Sequence, residues 1–191
     1  MGKAKIRTIT TIVFMIILSI VILLFYYYWT NRTDPIDSSG ENLTEVEKLI
    51  NKDLELYYPE TPREVTKLFA SMMKALYNNP EDDEIEALAT KIRELYDKEF
   101  LDNNPEATYL TSLYADISKW KDKNRKITNY LLINEDQEQE KEIDGVKYST
   151  KFISFTIQEN IKFIETWQVL LREDANKQWK ILGWELVTDS E

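Results

Sequence analysis

The chain contains no cysteine and no histidine among its 191 residues, and only four glycines and five prolines. Without cysteine there is no disulfide, no zinc–thiolate site, no thiol nucleophile and no residue for lipoprotein acylation. Without histidine, Ser-His-Asp and Cys-His catalysis, His-ligated metals and the usual general base near neutral pH are excluded. The glycines at 2, 40, 145 and 183 are too scattered to form a phosphate-cradling loop. Any chemistry would rest on carboxylates, tyrosine, lysine or oxygen-ligated cations. No catalytic residue, metal site or cofactor is assigned on this basis.

Charge is missing from one further place. No charged side chain lies between Arg7 and Arg32, and residues 9–29 are almost wholly apolar. As a helix those 21 residues span ~32 Å, enough to cross the hydrocarbon core of a bilayer. A cleaved signal peptide would be shorter and would end in small residues, whereas this run ends in Tyr26, Tyr27, Tyr28 and Trp29. Such aromatics suit a membrane–water interface. The spacing therefore predicts an uncleaved transmembrane helix. Lys3, Lys5 and Arg7 precede it, which places the N-terminus in the cytoplasm and the rest outside.

What is abundant is negative charge. The net charge is −10, and the part beyond residue 30 holds all 34 acidic residues and 21 of the 24 basic ones, a balance of −13. Nucleic acid is thereby excluded as a partner, since it demands a basic face. The expected organisation is a cytoplasmic tail over 1–8, the span over 9–29, a flexible linker over 30–42 and an extracytoplasmic domain over 43–191. Two N-glycosylation triplets, at Asn31 and Asn42, are read as chance matches to a short pattern.

Within the domain the apolar period starts helical. Leu43, Val46, Ile50, Leu54 and Tyr57 predict an amphipathic helix over 43–57. Thr61, Pro62 and Glu64 form a capping box that opens a second, with Val65, Leu68, Phe69, Met72 and Leu76 on its stripe. A third is predicted from Glu81 through Ile85, Leu88, Ile92, Leu95 and Tyr96 to Asn103. A fourth follows Pro105 and buries Leu110, Leu113, Tyr114, Ile117 and Trp120. From Ile127 the period changes to two. Strands are predicted over 127–134, 146–158, the stretch containing Phe163 to Leu171, and 178–187, with Asp144-Gly145 as a tight hairpin turn. In the last strand Trp179 and Ile181 fall on one side, with Leu182, Trp184 and Leu186 on the other. The fold class is α+β: three to four helices packed on a curved, cone-like antiparallel sheet of about four strands. Because the closing strands are apolar on both faces, the outer sheet face is expected to take a partner, either a second copy or another envelope protein.

Several stretches resemble a domain-of-unknown-function family of single-pass membrane-anchored proteins from Gram-positive anaerobes. They are Tyr58-Pro59-Glu60-Thr61-Pro62-Arg63-Glu64-Val65, Asn103-Asn104-Pro105, Leu171-Arg172-Glu173-Asp174 and Trp179-Lys180-Ile181-Leu182-Gly183. The element order is also similar to the nuclear transport factor two-like cone. The first resemblance implies a Gram-positive cell-membrane location; the second is architectural and implies no activity.

The candidate pocket comprises Tyr130, Phe163, Glu165, Trp167 and Trp179. Glu165 lies at strand spacing between two aromatics, where an apolar cone would raise its pKa and let it act as a base with Tyr130 as donor. An edge carboxylate in water is the competing reading. The acidic arm at 135–142 lacks the spacing of a calcium loop and is expected to be a solvated hairpin edge. Lys119, Lys121, Lys123, Arg125 and Lys126 form the one basic cluster beyond the span. It is expected to complement the C-terminal end of the fourth helix, with anionic wall polymer or lipid as the rival partner. The expected function is a non-catalytic, membrane-tethered binding or assembly module; the alternative is carboxylate/tyrosine acid–base chemistry on a small apolar substrate.

Overall fold

The computed structural model of the chain describes residues 18–23, 43–78, 80–133 and 140–187. It divides into two compact units, Met1–Asn42 and Leu43–Glu191. In the first, residues 18–23 are helical, and Leu18, Ile20, Val21, Ile22 and Leu23 are exposed. The remainder of the predicted span and the predicted interface residues Lys3, Lys5, Arg7, Tyr26, Tyr27, Tyr28 and Trp29 lie outside the described residues. Among the described residues no helix is long and apolar enough to cross a membrane.

The second unit is α+β. Five helices come first: α1 (Glu45–Ile50), α2 (Pro62–Leu76), α3 (Asp82–Arg93), α4 (Lys98–Asn103) and α5 (Glu106–Asp122). Five strands follow: β1 (Lys126–Ile133), β2 (Glu140–Ile143), β3 (Val146–Gln158), β4 (Lys162–Glu173) and β5 (Trp179–Leu186). All pairings are antiparallel, in the order β1-β3-β4-β5, with the short β2 added beside β3. Asp144 and Gly145 both have positive φ, 53° and 77°, as a two-residue primed turn requires.

Helix α2 opens as its sequence dictates. Thr61 Oγ1 accepts from the Glu64 amide at 3.2 Å while the Glu64 carboxylate accepts from the Thr61 amide at 3.2 Å. Its stripe of Val65, Phe69, Met72 and Leu76 is fully buried and packs across β1, β3 and β5. The facing sheet positions, Ile127, Ile153, Phe155, Ile157, Val169, Leu171 and Ile181, are buried as well. At roughly 1.5–3 kcal/mol per buried side chain, this interface is the main stabilising term of the domain.

Four expectations are corrected. The first helix ends at Ile50, because Asp53 turns the chain by accepting from the Glu55 and Leu56 amides at 3.0 Å. Tyr114 of α5 is exposed, whereas Leu113 and Ile117 are buried. The predicted third helix is broken between α3 and α4. Tyr96 forms a parallel bridge with Ile181, the Asp97 amide donates to the Ile181 carbonyl at 2.8 Å, and the Ile181 amide donates to Leu95 at 2.8 Å. Asp97 then caps α4 through the Glu99 amide at 2.8 Å. Finally, a bulge between Leu170 and Leu171 brings Val169 opposite Trp184 and Leu171 opposite Ile181. Trp184 therefore joins Trp179 and Ile181 on the helix side, where its ring lies 5.1 Å from Phe69 and 5.3 Å from Phe100.

Arg172 holds that edge together. Its Nε donates to Asp97 Oδ2 and its Nη1 to Glu99, both at 3.0 Å, and Nη2 donates to Asp97 Oδ1. Asp97 is buried, and its hydrogen bonds push the Arg172 guanidinium still higher in pKa. Arg172→Ala strands a buried carboxylate and should cost about 3 kcal/mol in urea unfolding of the chain. Arg172→Lys, which cannot form the bidentate pair, should recover only part of this.

Candidate functional site

Directly opposed residues of an antiparallel sheet share a face, and register places Tyr130, Phe155 and Glu165 in one row. Phe155 is fully buried, so this row faces the helices. Phe163 and Trp167, two residues either side of Glu165, face the same way. Four of the five predicted pocket residues thus lie together on the helix-facing surface, which Trp179 shares only at its other end. Trp179 is not among them. It stands opposite Glu173, while Trp167 stands opposite Leu186 at the other end of the β4–β5 ladder. Trp179 is buried, and its carbonyl accepts from the Tyr58 hydroxyl at 2.9 Å.

Sequence reasoning placed Arg125 only in the basic cluster after the fourth helix and missed its partnership with Glu165. Asn124 ends α5 in the left-handed region, φ 50°, and the Arg125 amide returns to the Trp120 carbonyl at 2.8 Å. That turn lays the Arg125 guanidinium 4.3 Å above the Trp120 ring and 5.2 Å from Phe163. Its Nη2 donates to Glu165 Oε1, and Trp167 Nε1 donates to Glu165 Oε2 at 3.3 Å. Both charged side chains are 20% exposed. The enclosure is continued by Tyr77, its ring tilted at 52° and 4.5 Å from Trp120, and by Phe155, edge-on to Trp167 at 5.1 Å. Arg125 Nε finds no acceptor among the described residues, so the rings and Glu165 supply most of what holds the guanidinium. The sequence signal was present: a basic residue just past a helix that ends in Trp, in a chain with a lone carboxylate between aromatics on a strand.

This geometry bears on acid–base chemistry. The Glu165 carboxylate is compensated by a guanidinium. The Tyr130 hydroxyl shares a 2.6 Å hydrogen bond with Ser71 Oγ of α2. Among the described residues Glu165 and Tyr130 are not hydrogen-bonded to each other, and no His/Cys/Asp/Glu group could hold a metal ion. The arrangement can bind and orient; it fastens the end of α5 to the middle of β4.

Truncating one partner should reveal the pair. Arg125→Ala is expected to lower stability by about 2–3 kcal/mol, since it leaves Glu165 with only an indole N–H. Arg125→Met with Glu165→Leu should recover most of that in a urea double-mutant cycle.

Four tyrosines form a second set of buried polar groups. Burial raises the pKa of Tyr58, Tyr77, Tyr96 and Tyr109 above the ordinary tyrosine value. Tyr77 is raised further by donating to Asp116 at 2.7 Å. Raised folded values favour the folded state fully below the unfolded value of ~10, and that contribution is lost as pH rises through the folded values. In an alkaline absorbance titration these four should yield tyrosinate only together with loss of the folded signal.

A model of the family described as "Domain of unknown function (DUF6715)" matches residues 1–184. No curated protein matches the chain. One solved structure is similar, the crystal structure of CagV, a VirB8 homolog of T4SS from Helicobacter pylori strain 26695. It is 14% identical with a TM-score of 0.40, over 66% of this chain and 98% of that one. At that level the similarity carries no argument about this chain's function.

Proposed function

The chain belongs to the DUF6715 family, and from that premise we propose a single-pass membrane protein whose folded domain is a non-catalytic binding or assembly module outside the cell membrane of a Gram-positive envelope. Residues 9–29 are the anchor, 1–8 the cytoplasmic tail and 30–42 the linker. The apolar run, the basic residues before it and the aromatics at its end support this reading.

The observation that carries the binding role is the open face of the sheet. Leu131 and Ile164 point away from the helices and are each 67% exposed, with Leu170 also exposed. The side chains around them, Ser154, Thr156, Thr166 and Gln168, are uncharged. An apolar, charge-poor sheet face on so acidic a domain is a surface kept for a partner, whether a second copy or an envelope protein. The interior supports the absence of catalysis, because Glu165 is occupied by Arg125 and Tyr130 by Ser71.

Protease added to intact cells should remove the domain and leave a membrane-bound N-terminal stub; a protected domain would reject the orientation. Leu131→Asp with Ile164→Asp should release partners crosslinked to the wild-type domain while leaving its melting temperature within a few degrees. Unchanged crosslinking would reject the face.

A further inference from the structure

The two edges of the sheet are finished differently. At the β5 edge the chain covers itself: the Asp97 amide donates to the Ile181 carbonyl and the Ile181 amide to Leu95, both at 2.8 Å, and α4 packs beside the strand. On the other side β3 is flanked by β1 and by the short β2. Strand β2 is charged at Glu140, Lys141 and Glu142, which blunts an edge against further pairing. Strand β1 is not blunted. After Lys126 it reads Ile127-Thr-Asn-Tyr-Leu-Leu-Ile133, with no charge and no proline. Among the described residues its outer edge takes one backbone bond, from the Ile127 amide to the Tyr77 carbonyl at 3.1 Å. The bulge in β1 falls between Ile127 and Asn129, and from Asn129 to Ile133 the pairing with β3 is regular. That stretch therefore presents a regular, uncharged backbone edge.

We infer that β1 is a self-pairing edge: two copies of the chain join β1 to β1 antiparallel about a two-fold axis at Leu131. Leu131 then faces its own mate, Asn129 faces Ile133 and Tyr130 faces Leu132 across the axis. A row of backbone donors and acceptors is satisfied by an extended segment, which makes the occupant a strand. The second copy fits in three respects. Its β1 lacks charge too, so the pairing opposes no like charges although each chain carries −13 beyond residue 30. Leu131, 67% exposed, is covered by itself. The pairing also closes, because each chain offers one such edge among the described residues and a two-fold dimer leaves none over to propagate. Opposed residues share a face, so the open faces of the two copies run on across Leu131 as one charge-poor surface. The inference rests on the proposed anchor for its strength. Copies held in one bilayer meet at high local concentration, so a single strand pair suffices where a free dimer needs a contact above ~1,000 Å².

The absence of native cysteine makes the test direct. Full-length chain carrying one cysteine is reconstituted into phosphatidylcholine vesicles and treated with a mild oxidant. Leu131→Cys is compared with Ile164→Cys, which is equally exposed at 67% and lies two strands away. It is also compared with Asn129→Cys, which the proposed register sets ~14 Å along the strand from its own copy. A disulfide tolerates ~7 Å between Cα atoms, so Leu131→Cys should crosslink at least about tenfold faster than either control. Chains with Asn129→Cys should crosslink to chains with Ile133→Cys. In that mixed pair, Leu131→Lys in both chains should abolish the crosslink, as should Leu131→Glu in both, whereas lysine in one and glutamate in the other should restore it. Equal rates at 131 and 164, a faster bond at Asn129→Cys, or no rescue by the opposite charges overturns the inference. Ile164→Asp, which breaks the open face, should leave the 131 crosslink unchanged. Faster crosslinking at Ile164→Cys overturns edge pairing and makes the face the contact between copies. Flotation is scored first. A chain that floats but does not crosslink at 131 rejects the pairing alone. Failure to float rejects the anchor, and the same crosslinks read in solution at higher protein concentration then decide the pairing.

Discussion

A guanidinium clasped between Trp120, Phe163 and Glu165 is the joint on which the rest of this domain's surface depends. Helix α5 buries little of itself: Leu113 and Ile117 are its buried residues, and its other large apolar side chains are half-buried or exposed. A helix so lightly anchored by apolar contact needs a second fastening, and Arg125 provides it at the last turn. The price is one carboxylate on the inner face. Once Glu165 is committed to Arg125 and to the Trp167 indole, the pocket that its spacing suggested becomes a structural joint.

Much of the fold was legible because its elements obey one period each. The α2 capping box, the Asp144-Gly145 turn and the alternation through Ile153, Phe155 and Ile157 follow from local rules that tertiary context did not override. What was not legible depended on contacts across the chain. The break after Arg93 looks like unbroken helix in sequence, since Leu95, Tyr96 and Phe100 keep the helical spacing. Only the pairing of Leu95, Tyr96 and Asp97 with Ile181, and the clamp from Arg172, make the extended conformation better. The side taken by Trp184 required a bulge whose position no alternation pattern reveals. The candidate site was legible in part. Spacing placed Phe163, Glu165 and Trp167 together, and register adds Tyr130. The guanidinium that neutralises Glu165 comes from 40 residues earlier, and Trp179 belongs to the other end of the sheet.

The absent residue types constrain chemistry in a way the structure sharpens. With neither histidine nor cysteine, the domain's reactive repertoire is carboxylate, phenol and amine. The phenols of Tyr58, Tyr77, Tyr96 and Tyr109 are driven by burial toward their neutral forms, which suits hydrogen bonding and opposes proton transfer near neutral pH. The inner-face carboxylate is neutralised. Interiors arranged this way stabilise a shape.

On the surface, charge is distributed unevenly. In a chain with 30% charged residues, the outward row of β3 from Thr150 through Phe152 and Ser154 to Thr156 carries none, nor does that of β4 from Ile164 through Thr166 and Gln168 to Leu170. An uncharged, partly apolar face is a costly pattern for a domain that needs only solubility, which is better served by interspersed carboxylates. A neutral face gains from area and shape, as protein contacts do, and is indifferent to salt.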